Sequence, residues 1–354
     1  MDRKRVDYID IAKGLGMLAI VWGHIVLFKY SCRVVYGFHI PIFFILSGMC
    51  FNHKKYSTVG ELIRRRVKTL LVPYVVFSLV TWLIYILGVW LTHNDTMKNC
   101  WYYLLQTVLA QGSDGYLGHN VALWFVPCLF VVEVLYYFIA KLSDGINIII
   151  CLLCMIVGVI LSRRFLNYTT LPWSIDSALV AIPFYALGNL TVKRLTHEKI
   201  INLVDRNIFK FVLVSTILSI IYLINVQNNG YVSMGHNNLG KHVWLFFINA
   251  ICGSLSIILF SIVLGSFLKR SWIQKPILFV RWLGENSFNV MAVHMPLRTI
   301  ILVFLGLFLH INLGKMLSTN ISFSLVVYFA TIIVTSMVIQ LISKGKDLFA
   351  GKKV

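Results

Sequence analysis

Acidic residues are scarce in this chain. Its 354 residues include 13 Asp and Glu against 32 Lys and Arg, which gives a formal net charge of +19. The basic residues are dispersed over short segments between apolar runs, whereas a nucleic-acid interface needs them clustered on one face. We therefore expect no nucleic-acid partner.

Paired cysteines and metal-ligand spacings are also missing. The seven cysteines are scattered, mostly within apolar runs, and an odd number without a framework argues against structural disulfides. Cys151 and Cys154 form a CxxC inside an apolar run, where a packing role is favoured over redox or metal chemistry. The sequence has no His-x-x-x-His and no carboxylate–histidine spacing, so we expect no metal.

Internal repeats, low-complexity stretches and an appended soluble module are absent from the sequence. We therefore expect a single integral-membrane domain over residues 1–354. The strand alternation of membrane barrels is missing as well, which disfavours that architecture. The basic start resembles a signal peptide, but the apolar run after it is too long and lacks a small-x-small cleavage site. This pattern predicts a retained helix.

Long apolar runs dominate what is present. Hydrophobic residues make up 58% of the chain and the mean hydropathy is +0.81, a composition typical of multispanning helical membrane proteins. We predict an all-α polytopic fold with ten transmembrane helices, near residues 9–28, 36–52, 70–92, 122–140, 146–162, 173–192, 209–226, 243–267, 286–310 and 322–342. Most Lys and Arg residues fall in alternate loops, which predicts cytoplasmic N- and C-termini.

His24 is the first candidate functional residue. A titratable group well inside a membrane helix usually faces protein or water and often does chemistry there. Lys13 lies eleven residues earlier, so the two share one helix face about 16 Å apart. Asp10 joins the same stripe. These residues predict a site inside the bilayer.

The second apolar run and the loop after it add further candidates. Pro41 predicts a bend within the helix, and Ser47-Gly48 predicts the close approach of another backbone. His39 is as easily a structural histidine as a catalytic one. The following loop carries Arg64, Arg65, Arg66 and Lys68. These cations could grip a polyphosphate or anchor the helix on anionic lipid.

The ninth run places His294 and Arg298 four residues apart on one helix face. Asn286 or Ser287 is expected to cap this helix. An arginine deep in the membrane needs a partner, and Asp176 or a substrate anion is the candidate.

Two longer segments, residues 93–121 and 225–242, are rich in amides and aromatics and poor in charge. They suit sugar hydroxyls and ring faces, although solvated loops with an aromatic belt have the same composition. His119 lies in the first segment. Residues 98–112 are apolar enough to form a short amphipathic helix at the membrane interface.

These segments together resemble the acyltransferase-3 family of integral-membrane acyltransferases, especially its sugar and polysaccharide O-acetylases. The matching pieces, in order, are Asp10-x-x-Lys13-Gly14 with Gly23-His24, Phe38-x-x-Pro41-x-Phe43-Phe44-x-x-Ser47-Gly48, the basic loop ending in Pro73-Tyr74, Leu123-Trp124-Phe125, and Leu283-Gly284-x-x-Ser287 with His294-x-Pro296. Each piece alone is weak, but the ordered set is specific.

The sequence departs from the family pattern in three places. Many members carry arginine where Lys13 stands, and the basic loop often has two arginines three apart, whereas here Thr69 follows Arg66. A larger branch has a glutamate five residues after the tryptophan, where this chain has Leu129. No role for such a carboxylate is carried over.

The resemblance implies transfer of an acyl group, most often acetyl, from cytoplasmic acyl-CoA to a glycan hydroxyl in a bacterial cytoplasmic membrane. His24 would be the general base or, alternatively, a transient acyl carrier, and Lys13, beside Asp10, or Arg298 would stabilise developing negative charge. We expect the donor to meet Ser47 and the basic loop. We expect the acceptor to meet Trp124, His119, Asp176, His294 and Arg298.

Two other functions fit parts of the sequence. In a transporter for a small anion or amino acid, a relay would run through His24, His39, Asp10 and Arg298, but the repeats common in transporters are missing. A glycan flippase or polymerase fits the amide-rich segments better than the basic loop. The sequence leaves open whether the acyl group is acetyl, succinyl or another short chain.

Overall fold

The computed structural model describes residues 5–91, 97–112, 117–165, 169–269, 271–309 and 313–349. These residues contain no strand, apart from one isolated bridge between Ser233 and Asn238. Their α-helices are α1 (Asp7–Ile25), α2 (Lys29–Tyr36), α3 (Pro41–Cys50), α4 (Val59–Arg66), α5 (Val72–Leu91), α6 (Met97–Leu109), α7 (Phe125–Ile139), α8 (Asp144–Ile160), α9 (Ile175–Arg194), α10 (His197–Arg206), α11 (Ile208–Asn229), α12 (Val243–Ser266), α13 (Ser271–Glu285), α14 (Ser287–Leu309), α15 (Leu313–Thr319) and α16 (Ile321–Phe349).

The predicted all-α polytopic fold is confirmed. In the described ranges, nine helical segments are long and apolar enough to cross a membrane, and they match the second to tenth predicted runs. The first run forms α1, which carries Asp7, Asp10 and Lys13 and is not among these nine segments. Instead α1 is enclosed by protein, because it packs against α3, α12, α13 and α14.

The second predicted run is broken rather than bent. Helix α2 ends at Tyr36, and α3 begins at Pro41 after a turn. Pro41 is thus the first residue of a helix, where its missing N–H costs no intrahelical hydrogen bond. The turn holds His39, whose Nδ1 lies 2.9 Å from the Val35 carbonyl oxygen.

Helices α3 and α9 approach each other backbone to backbone. A Cβ added at Gly48 would collide with the carbonyl of Tyr185, and one at Gly188 would collide with the carbonyl of Ile45. The close approach expected at Ser47-Gly48 is therefore confirmed. Because backbone atoms cannot rotate away, the two helices would have to separate to accept a side chain here.

Gly48→Ala is expected to destabilise the protein by about 1–3 kcal/mol through overpacking. The matched control is Gly145→Ala in α8, where an added Cβ meets no atom within 4 Å. Thermal unfolding of the detergent-purified variants compares the two. Equal stability of both variants would show that α3 and α9 are not tightly packed.

Loops close the bundle at the end where α1 finishes, and we call this the loop end. Ser177 Oγ in α9 donates to the Met234 carbonyl at 2.9 Å, and Asn120 Nδ2 donates to the Ala292 carbonyl of α14 at 2.7 Å. The helix expected at residues 98–112 forms α6, with Trp101 exposed and Gln106 buried. The opposite end, where α1 begins, we call the basic end.

Candidate functional site

A cavity of about 410 Å³ lies in the bundle between α1, α3, α7 and the start of α14. One face of α1 lines it with Lys13, Met17, Ile20 and His24. The shared face predicted for Lys13 and His24 is therefore present. The helical rise separates these two residues by about 16 Å, so a single reacting carbonyl cannot contact both of them.

The loop-end part of the cavity is rich in imidazoles. The rings of His24 and His294 lie 5.5 Å apart between centroids. His39, in the α2–α3 turn, and His236, in the loop before α12, line the same cavity. His294 is fully buried and lies behind His24 rather than on the cavity wall. The expected contact of His294 with the acceptor stays a prediction: its ring adjoins that of His24 but is not among the residues that line the cavity.

The basic-end part of the cavity holds two ion pairs. Lys13 Nζ lies 3.9 Å from Asp10 Oδ1 on the same helix. Arg66 Nε pairs with Glu133 Oε2, and the Tyr185 hydroxyl donates to Glu133 Oε1 at 3.3 Å. Charge in this part is therefore neutralised within the protein, at the cost of desolvating the paired groups.

Glu133 is the site residue that the sequence reasoning missed. It lines the cavity one helical turn beyond Leu129, the position at which a larger branch of the resembling family has a glutamate. The available signal was its charge, because Glu133 is the only acidic residue in the apolar run 122–140. A carboxylate at that depth needs a cation or a hydrogen-bond donor nearby.

Of the basic residues in the loop, Arg66 alone lines the cavity. Arg66 turns inward, just before the π-helical segment Val67–Leu71, a geometry often found at functional sites. Arg64, Arg65 and Lys68 are exposed and line neither this cavity nor the next one. Their expected contact with the donor stays a prediction, and their surface position fits the lipid-anchor alternative.

A second cavity, of about 670 Å³, opens at the basic end. It shares Lys13, Cys50 and Ser287 with the first cavity, so the two adjoin at these residues. Its basic lining residues are Arg5, Lys13, His53, Lys54, Lys193 and His197, and Asp10 and Glu285 line it as well. Three of the cations are paired: Arg5 with Glu285, Lys13 with Asp10 and Lys193 with Asp144. The combined space leads from the basic end to His24.

Aromatic and hydroxyl groups surround His24 at the loop end. Trp124 lines the cavity together with Tyr36, Tyr231 and Ser233. The Ser233 hydroxyl lies 2.8 Å from His236 Nδ1. Ser47, which is expected at the donor site, lies near the end of α3 and also lines this cavity. The groups near His24 can stack on a ring and exchange hydrogen bonds with hydroxyls.

Asp176, one of the two expected partners of Arg298, does not pair with it. Asp176 is fully buried; its Oδ1 accepts from the Leu171 N–H at 3.1 Å, and its Oδ2 accepts from the Asn237 amide. No ion pair links it to Arg298 in the described part of the chain. Asp176 thus ties the segment at Leu171 to the loop at Asn237. Both of its carboxylate oxygens are satisfied by these donors.

Arg298 and His119 lie outside the cavity wall. Arg298 is half-buried, its Nε has no hydrogen-bond partner among the described residues, and it is an electrostatic neighbour of His24 and Tyr36. A substrate anion therefore remains its candidate partner. His119 is buried beside Tyr103, with ring centroids 6.3 Å apart, and burial lowers its pKa to about 4. A neutral histidine in this position supports the loop rather than touching the cavity.

A metal site is not formed by the described residues, which contain no group of three or more His, Cys, Asp or Glu side chains able to hold an ion. In α8, the Cys151 thiol lies 3.5 Å from Asn147 Oδ1 and is buried, in keeping with a packing role for the CxxC.

Comparison with known proteins gives one finding. The family model described as an acyltransferase domain matches residues 6–340, which include every residue of the two cavities except Arg5. No match was found among curated proteins or among solved structures. The chain therefore belongs to the acyltransferase-3 family and is a multi-pass membrane acyltransferase.

Proposed function

We propose that this acyltransferase moves a short acyl group, most simply acetyl, from acyl-CoA to a hydroxyl of a glycan or glycan precursor. The observation that carries the proposal is the position of His24, in a cavity that continues through Lys13 into a second, basic cavity. We further propose that the basic end faces the cytoplasm of a bacterial cell, where acyl-CoA is made.

The basic cavity suits the phosphates of coenzyme A. Lys54 and His53 project there beside Lys193, and phosphate prefers such charge-assisted donors. From this cavity the thin pantetheine arm would pass Lys13 and follow the α1 face toward His24, about 16 Å further on. Lys13 and Asp10 would thus guide the donor and would not act on the reacting carbonyl.

The loop end suits a polyhydroxylated acceptor. Trp124 and Tyr231 offer ring faces, and Ser233 and His236 offer hydrogen-bonding groups next to His24. In this arrangement His24 takes the proton of the acceptor hydroxyl, whose oxygen attacks the thioester carbonyl. The C–S bond then breaks, and the same proton passes from His24 to the departing thiolate.

The direct test uses the purified full-length protein with acetyl-CoA and a panel of oligosaccharides. We expect free CoA thiol to appear together with an equal amount of acetylated saccharide, detected by mass spectrometry. A transporter or flippase would release no CoA. Absence of acetyl-CoA binding would contradict the proposal directly.

Lys13→Ala is expected to raise the Kd for acetyl-CoA about tenfold or more, because one charge-assisted contact with the donor is lost. Lys13→Arg should retain most of the affinity, since the cation remains. The matched control is Lys68→Ala, which removes an exposed cation from the same end of the molecule. Equal Kd values for Lys13→Ala and Lys68→Ala would remove Lys13 from the donor site.

A further inference from the structure

His294 is held in one orientation by the backbone of its own helix. Its Nδ1 lies 3.0 Å from the Val290 carbonyl oxygen and 2.9 Å from the Met291 carbonyl oxygen. Carbonyl oxygens only accept hydrogen bonds, so Nδ1 carries the proton and donates it to both. In neutral His294 the other nitrogen, Nε2, is therefore an unprotonated acceptor.

Nε2 of His294 is buried and has no hydrogen-bond partner among the described residues. Leaving a buried acceptor without a hydrogen bond costs about 1–3 kcal/mol. Buried polar groups are therefore usually hydrogen-bonded, and Nε2 of His294 is expected to accept from a donor. The His24 ring is its neighbour, 5.5 Å away between centroids. Because ring atoms extend beyond the centroids, this spacing allows a ring N–H of His24 to come within the usual hydrogen-bond distance of about 3 Å of Nε2.

The other ionisable neighbours of His24 do not fit this role. Its electrostatic neighbours besides His294 are His39, His236 and Arg298. Arg298 has only donors and cannot accept. His39 and His236 line the cavity itself, on the side where an acceptor hydroxyl would lie. His294 lies behind His24, so a bond to it leaves the opposite nitrogen of His24 facing the cavity.

We propose that His294 is a positioning residue for His24. Its Nε2 accepts a hydrogen bond from one ring N–H of His24, which fixes the tautomer of His24 and leaves the cavity-facing nitrogen unprotonated. This assignment rests on the proposed acyl transfer, in which that nitrogen takes the hydroxyl proton. During the step His24 carries a second proton and a positive charge, and the lone pair of His294 stabilises the N–H that points toward it.

The proton does not travel further than His24. Nδ1–H of His294 is engaged with two carbonyl oxygens and has no acceptor to pass its own proton to. His294 thus orients the base and stabilises its charged form, while the proton returns from His24 to the thiolate. The C–S bond is replaced by a C–O bond, and the proton count is unchanged.

The test compares His294→Gln, whose side-chain oxygen can still accept, with His294→Leu, which cannot. Nitrogen-15 NMR of histidine-labelled protein reports the tautomer of each ring, with the His24 signals assigned from a His24→Gln sample. In the wild-type protein we expect a single His24 tautomer. In His294→Leu we expect a mixture of tautomers, and in His294→Gln we expect the single tautomer to persist.

Kinetics supply the second readout. His294→Leu should lower kcat about 10- to 100-fold, as for other residues that orient a catalytic group, with little change in KM for acetyl-CoA, and His294→Gln should recover much of the loss. A tautomer mixture at His24 in the wild-type protein, or an unchanged single tautomer in His294→Leu, would overturn the proposal. If His294→Leu does not fold, the His24 tautomer in the wild-type protein and in His294→Gln decides whether the proposal stands.

The two hypotheses fail in different ways. The NMR measurement needs no turnover, so a fixed His24 tautomer in a protein that transfers no acetyl group would reject the proposed function and leave the hydrogen bond in place. Conversely, normal acetyl transfer by His294→Leu with an unchanged kcat would reject the positioning role and leave the proposed function in place.

Discussion

His24→Ala is expected to lower the rate of acyl transfer by at least about 100-fold, the contribution typical of a general base. Acetyl-CoA binding should persist, because the donor phosphates would lie in the basic cavity, about 16 Å and more from this ring. The measurement is release of CoA thiol in the presence of an accepted saccharide, combined with a separate binding isotherm for acetyl-CoA.

The control for His24 is His242→Ala, which removes an exposed histidine at the start of α12 that lines neither cavity. His242→Ala should leave turnover unchanged. Thermal unfolding of both variants separates chemistry from stability. A well-folded His24→Ala protein with wild-type turnover would refute the general-base role, and joint loss of stability and activity would indicate a structural histidine.

Glu133→Leu is expected to destabilise the protein by about 3 kcal/mol, because it leaves the Arg66 guanidinium partly buried without its counter-charge. The Glu133 side chain is only 4% exposed, against 24% for that of Arg66. Replacing both residues, in Arg66→Met with Glu133→Leu, should recover a large part of this loss, since no unpaired charge remains.

The matched comparison is the exposed ion pair at the same end of the molecule. Lys193 pairs with Asp144 across α8 and α9, with side chains 53% and 32% exposed. Asp144→Asn should cost less than about 1 kcal/mol, as is usual for a solvated pair. Additive losses in the Arg66–Glu133 double variant, with no recovery, would show that the two charges do not interact in the folded protein.

The lengths of the apolar runs predicted most of this fold. Unpaired backbone N–H and C=O groups are costly in lipid, so an apolar run of spanning length forms a helix, which pairs them internally. Helical periodicity also predicted that Lys13 and His24 share a face, since that follows from one helix alone. The break before Pro41 was not predicted. Proline fits the first turn of a helix as well as a kink, and only the surroundings decide between them.

Relations between helices were harder to infer. Asp176 was expected near Arg298 because both are rare charges in apolar runs, yet Asp176 is bonded to Leu171 and Asn237, whose positions depend on loop conformation. Arg66 and Glu133 form an ion pair between α4 and α7. Sequence periodicity does not specify how these two helices are rotated relative to each other. Similarly, the enclosure of α1 depends on α13, an amphipathic helix that hydropathy alone does not identify as a span.

The enclosure of α1 has a consequence for biosynthesis. Helix α1 packs mainly against α12, α13 and α14, which are synthesised more than two hundred residues after it. Lipid alone is a poor environment for Asp10 and Lys13. Helix α1 must therefore remain without most of its packing partners until these later helices are made, and the site around His24 is assembled only when they pack against it.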